Sequence, residues 1–171
     1  MAVVLALATA ALAACGQPAP ATINDGAEGP VVNPLPDGPN TIVKRVVDGD
    51  TFVISNGDRI RLIGINAPES VKPDSPLECY GPEASKRTKA LLPAGTNIRL
   101  VFDRERADRF GRTLAYVFRR SDGLFVNASL LEDGYATTLT IAPNTLYADR
   151  FADLQKKAKR QQVGLWGSCA R

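Results

Sequence analysis

Between Thr41 and Ile65 the chain is cut into three short β-branched runs by turn-forming residues, and this stretch constrains the fold most. The runs are TIVKRVV (Thr41–Val47), TFVIS (Thr51–Ser55) and RIRLIGI (Arg59–Ile65). Asp48-Gly49 separates the first two and Asn56-Gly57-Asp58 the second two. Val, Ile and Thr crowd a helical turn but fit a pleated sheet, and Asn-Gly supplies the positive φ of a tight hairpin. An antiparallel meander is therefore expected. A helix follows from Pro82 to Leu92, with proline in its first turn and Pro93 and Gly95 ending it. Two more strands come next, Asn97–Phe102 (NIRLVF) and Thr113–Arg119 (TLAYVFR). A short helix near Val126–Asp133 stops at Gly134, and a longer one runs from about Leu146 to Gln162. Tyr147, Phe151, Leu154 and Ala158 form its apolar stripe, Gly164 its stop, and Lys156, Lys157, Lys159 and Arg160 a solvated face. Five strands and three helices imply one α+β, mainly β domain over residues 41–171, built as a small barrel with helical additions.

The first forty residues read differently. Met1–Ala14 is apolar, small and uncharged, too short to span a bilayer but suited to the apolar region of a signal peptide, although it holds no basic n-region, as a start upstream of Met1 would explain. It ends in Leu12-Ala13-Ala14-Cys15, which resembles a bacterial lipoprotein cleavage box, so Cys15 is the expected lipidation site and membrane anchor. An ordinary cleaved signal with an incidental cysteine is the alternative. Six prolines and four glycines between Gly16 and Asn40 describe a disordered tether over residues 15–40. Export to the cell surface or periplasm follows.

Composition narrows the chemistry. The chain has no histidine, which removes Ser-His-Asp hydrolysis, imidazole acid–base catalysis and most zinc sites. Hydrolysis here would rest on carboxylates, Arg, Lys and water, with or without a hard metal ion. All 21 Lys and Arg lie at or beyond Lys44 together with 15 of the 18 acids, a surplus of six positive charges in the folded segment that suits an anionic partner such as nucleic acid. Of three cysteines, none has metal-ligand spacing. With Cys15 explained separately, Cys79 and Cys169 are left either as a disulfide pair or as two free thiols.

Four clusters carry the remaining signal: Val47-Asp48-Gly49-Asp50-Thr51; Arg61-Leu62-Ile63-Gly64-Ile65-Asn66-Ala67-Pro68-Glu69; Tyr80-Gly81-Pro82-Glu83-Ala84; and Asp108-Arg109-Phe110-Gly111-Arg112 before Leu114-Ala115-Tyr116. Singly each is weak, since Asp-Gly is usually a turn and a lone Arg on a strand usually solvated. In this order and spacing, with the closing Gly164-Leu165-Trp166, they resemble the staphylococcal nuclease family from about Thr41 to Trp166. The resemblance implies a five-stranded OB-fold barrel with three helices. It also implies a calcium-dependent nuclease that cuts DNA and RNA with little sequence preference and leaves 3′-phosphates; a monomer is the default for so small a barrel. Carried over, Asp50, Asn66 and the Ala67 backbone carbonyl would hold Ca2+, Glu69 would act as general base, and Arg61 and Arg112 would clamp the phosphate. Arg109 and Phe110 would contact substrate. The physical logic is independent of the likeness: a hard cation and two guanidinium forks offset the negative charge that shields a phosphodiester from attack.

The chain departs from that pattern at several positions. Asn66 stands where the family has aspartate, removing one formal charge from the ligand set. Leu139 and Ile141 stand where tyrosines meet the nucleotide base, Phe110 replaces a tyrosine, and the cysteine pair is an addition. The competing expectation is an OB-fold module that binds nucleic acid or another polyanion with little or no activity. A surface lipoprotein whose barrel serves protein contacts is a third.

Overall fold

The computed structural model describes residues 35–70 and 77–169. Cys15, the 1–14 signal region and most of the tether lie outside these residues.

The barrel follows from the turn chemistry. Strand β1 (Asn40–Val46) pairs antiparallel with β2 (Thr51–Ile54), and β2 with β3 (Arg59–Leu62). Gly57, at φ 97°, closes the second hairpin, with its N–H on the Ile54 carbonyl. In β1 the register slips between Val43 and Arg45, a bulge at Lys44 that sharpens the local twist. Strands β5 (Asn97–Val101) and β6 (Thr113–Arg119) complete the wall, and the order β1-β2-β3-β6-β5 closes on itself. The β3–β6 pair is parallel and the others antiparallel. This is OB-type topology.

One expected strand is in fact two. The run from Arg59 to Ile65 breaks at Ile63, and β4 (Gly64–Asn66) leaves the barrel to pair with β7 (Thr137–Leu139), a three-residue strand that the sequence reading lacked. Gly64 makes the break at φ 77°, and a Cβ there would lie 2.6 Å from the Phe151 ring, so only glycine fits both the bend and the packing.

Among the described residues the helices are α1 (Gly81–Leu91), α2 (Val126–Glu132), α3 (Ala148–Gln161) and a single turn, α4 (Leu165–Ser168), so the expected count of three becomes four there. One core fills the barrel with Val43, Phe52, Ile60, Leu62, Ile98 and Val117, all buried, and continues outward through Tyr116, Phe125, Leu130 and Phe151 under α2 and α3. Asn127 on α2 is fully buried, accepting the Val117 N–H and donating to the Ile63 carbonyl, which secures the chain at the β3–β4 break. The tether expectation over 15–40 is corrected at its end. The Pro39 carbonyl accepts the Leu100 N–H, Arg99 reaches the Leu35 and Pro36 carbonyls, and Leu35 packs on the core. The Pro39–Leu100 bond carries the β1–β5 ladder one step beyond Asn40.

Candidate active site

Asp50, Asn66, Ala67, Glu69, Arg61 and Arg112 line one recess of about 270 Å³, together with Asp48, Gly49, Pro68 and Leu139. They come from four separate parts of the fold.

The Asp48–Asp50 turn is fixed by its own atoms: Asp48 Oδ1 accepts the Asp50 N–H at 2.9 Å, and the Thr51 carbonyl accepts the Val47 and Asp48 N–H groups. Gly49 lets the turn approach its neighbours, since a Cβ there would meet the Ala67 Cβ at 2.4 Å. Asp50 is 7% exposed. Its Oδ2 accepts the Ala67 N–H at 2.8 Å and pairs with Arg61 Nη2 at 3.1 Å, while Oδ1 accepts the Thr51 hydroxyl. Burial pushes its carboxyl up from 3.8 to about 6; Arg61 pulls the other way, and Asp48 adds to the rise.

Arg61, at the end of β3, is enclosed. Its guanidinium donates to the Leu62 and Ile65 carbonyls and to Asn66 Oδ1 at 3.2 Å, besides Asp50. Burial lowers its basicity, opposed by the neighbouring Asp50. One guanidinium thus bridges two of the three candidate ligand residues.

Arg112 is held differently. Asp108 caps its own turn, accepting the Phe110 and Arg112 N–H groups on Oδ1 and Arg112 Nε on Oδ2 at 2.7 Å. Burial pushes the Asp108 carboxyl up, but these donors outweigh it and hold it below its usual range. Among the described residues Asp108 is the only hydrogen-bond partner of the Arg112 side chain, so the fork keeps donors for an incoming acceptor.

Arg109 and Phe110 line an adjoining cavity of about 460 Å³ with Leu139, Ile141 and Asn144; Arg61 and Arg112 line both cavities. Phe110 is 68% exposed, with the Arg109 and Arg112 guanidinium groups 4.8 and 5.3 Å from its ring. Leu139 and Ile141 are also exposed, and they give this cavity an aliphatic wall.

Glu69 follows β4. The Ser70 N–H donates to its Oε1, and its own N–H donates to Glu78 Oε2 at 3.0 Å. Cys79 and Cys169 are bonded, with Cα atoms 5.8 Å apart. Three polar residues that shape this region have no role in the sequence reading: Asp48 and Asp108, within the motifs, and Glu78, two residues before Tyr80. The signal for Asp108 was its place four residues before Arg112 in a tight turn. Asp48 had only its turn, and Glu78 left no local trace.

The donor set fits a hard divalent cation in kind. Every side chain that could ligate is an oxygen donor: the Asp48, Asp50 and Glu69 carboxylates and the Asn66 carboxamide. The fit is thin in charge, because among the described residues no three acidic, histidine or cysteine side chains gather around one point. Asp50 would carry most of the attraction.

The fold and recess together define an OB-type barrel with a guanidinium-lined, acid-floored cleft on one side. Residues 59–168 match the family described as "Staphylococcal nuclease homologue". The chain is 42% identical over 132 residues to the thermonuclease of Staphylococcus intermedius, covering 75% of this chain and 77% of that protein. It is 37% identical over 129 residues to the thermonuclease of Staphylococcus hyicus, covering 74% and 75%, and 40% identical over 132 residues to endonuclease YncB of Bacillus subtilis, covering 74% and 61%. The chain belongs to the staphylococcal nuclease family.

Proposed function

We propose that this protein is an exported, calcium-dependent phosphodiesterase that hydrolyses DNA and RNA with little sequence preference and leaves 3′-phosphates. The observation that carries the reading is the convergence of Asp50, Asn66, Ala67, Glu69, Arg61 and Arg112 on one recess, from residues up to 62 positions apart in the chain. The relatives named thermonuclease and endonuclease support the same class.

Asp50, the Asn66 carboxamide and the Ala67 carbonyl would hold the ion, which supplies positive charge to the bound phosphate. The Glu69 carboxylate takes the proton of the attacking water, the natural role for an acid in a chain without histidine. Arg112 presents its remaining donors to the phosphate oxygens, and Asp108 keeps the fork in place at no cost in reorganisation. Arg61 adds positive charge from below, and Phe110 and Arg109 flank the path of the strand. Export, with a lipid on Cys15 tethering a monomer at the cell surface or in the periplasm, belongs to the same proposal.

One observation favours a second reading, a binder of nucleic acid with little activity. Arg61 occupies Asp50 and Asn66 at once, and Asn66 brings no charge to compete for a cation. Plasmid degradation with calcium titrated into the millimolar range, an EDTA control and Glu69→Gln separates the two. The nuclease reading expects cleavage that EDTA abolishes and that falls by about two orders of magnitude or more in Glu69→Gln. DNA binding without cleavage at any calcium level would establish the binder.

A further inference from the structure

We propose that Glu78, held by the Cys79–Cys169 bridge, is the positioning residue for Glu69. The inference rests on the reading of Glu69 as the base and adds to it what holds that base in place.

Glu69 and Glu78 grip each other twice. The Glu69 N–H donates to Glu78 Oε2 at 3.0 Å, and the Glu78 N–H donates to the Glu69 carbonyl at 3.1 Å. The backbone carrying Glu69 is therefore fixed on both its donor and its acceptor by a single residue. Glu78 itself is exposed. An exposed hydrogen bond adds little to global stability, so the reciprocal clamp acts on where residue 69 sits.

Three further features concentrate on the same few residues. Cys79, the next residue, is covalently tied to Cys169, which directly follows α4. The α4 turn is in turn anchored through the Leu165 N–H on the Gly134 carbonyl. Tyr80 has φ 71°, a left-handed conformation that tyrosine adopts only when its surroundings impose it; its ring lies 5.3 Å from that of Tyr135. Gly81 donates to the Glu78 carbonyl, and a Cβ on it would come within 2.3 Å of the Glu69 carbonyl oxygen. A bridge, a strained residue and an obligatory glycine thus fix a segment that grips Glu69. Because a displacement of about 1 Å at a catalytic group can cost roughly a hundredfold in rate, such a clamp matters to kcat without touching substrate.

The test compares the full chain with Glu78→Ala, Glu78→Gln, Cys169→Ser and Glu69→Gln, scoring kcat and KM on DNA, melting temperature and amide exchange at Glu69. Glu78→Ala is expected to lower kcat about tenfold or more with KM and melting temperature near the parent values, and to speed exchange of the Glu69 amide. Glu78→Gln retains an oxygen for that N–H and is expected to recover most of the rate. Cys169→Ser is expected to speed the same amide and lower kcat at temperatures where circular dichroism shows an intact fold. Parental kcat and Glu69 exchange in Glu78→Ala, beside an inactive Glu69→Gln, would overturn the positioning role alone. Full activity in Glu69→Gln would remove the base assignment, and this inference with it.

Discussion

Removing the bridge, by Cys79→Ala together with Cys169→Ala, should expose how much of the fold depends on it. The two cysteines are 90 residues apart, so the bond closes a loop around α1, β5, β6, α2, β7, α3 and α4. In chain-entropy terms a loop of that length removes about 15 cal/mol/K from the unfolded chain, or about 4.6 kcal/mol at 25 °C. The folded side loses little when the bond is cut, because α4 is a single turn with no buried residue. A loss of about 3–4.6 kcal/mol follows, equivalent to roughly 10–15 °C in melting temperature for a domain of this size. Urea unfolding followed by two probes is the assay. Far-UV circular dichroism reads the whole barrel, whereas the single tryptophan, Trp166, lies within α4 with Lys159 4.5 Å from its ring. Both midpoints should fall together by the same amount. A variant within about 1 kcal/mol of the parent would refute the entropic argument, since it rests only on loop length. A tryptophan signal that moves alone would show that the bond secures α4 rather than the domain.

Two further outcomes concern the ligand residues. Asn66→Asp restores a second formal charge to a donor set whose buried negative charge comes from Asp50; it should lower the calcium concentration for half-maximal cleavage by about tenfold, read from a calcium titration at fixed DNA. Asp50 supplies a pH dependence of definite sign. Its folded value is raised from 3.8 to about 6, so the folded state holds the proton more tightly than the unfolded chain; stability from this group is present below 3.8 and lost as pH rises through about 6. In EDTA the urea midpoint should therefore fall between about pH 4 and pH 7, and calcium should recover it most on the alkaline side, where the carboxylate is free of its proton.

How much of this was legible depended on whether the partners were near in sequence. The Asn56-Gly57 hairpin and the strands β5 and β6 were readable because turn and period are local signals. The break at Gly64 was not, because RIRLIGI is continuous in pattern and the ring that demands glycine there, Phe151, lies 87 residues away. Strand β7 and helix α4, three and four residues long, are too short to show a period. At the site, the motif residues could be named but not their states. Nothing local announces that Arg61 commits both Nη groups to two carbonyls, an amide and a carboxylate while Arg112 keeps donors in reserve. The Glu78 clamp was equally hidden, since neither of its bonds has a compositional signature.

The spacing between the candidate ligand and the candidate base is set by a helix that contributes neither. Midway along α1, the Thr88 hydroxyl donates to the Gly49 carbonyl at 2.7 Å, and Ala84 lies against Gly49, where a Cβ would come within 3.2 Å. At its first residue, Gly81 meets the Glu69 carbonyl at a distance that excludes any side chain. The turn bearing Asp50 and the loop bearing Glu69 are thus both docked on one rigid element, about two helical turns apart. Loops alone would leave such a distance to fluctuate, and a phosphate held between a cation and a base tolerates little of that. The close approaches that do this require glycine at 49 and 81, and both residues sit in the motifs that drew attention in the sequence. Their presence there has a physical cause: they are the points where the chain must lie against the Ala67 and Ala84 methyls, at Gly49, and against the Glu69 carbonyl, at Gly81, for the two halves of the recess to keep their separation.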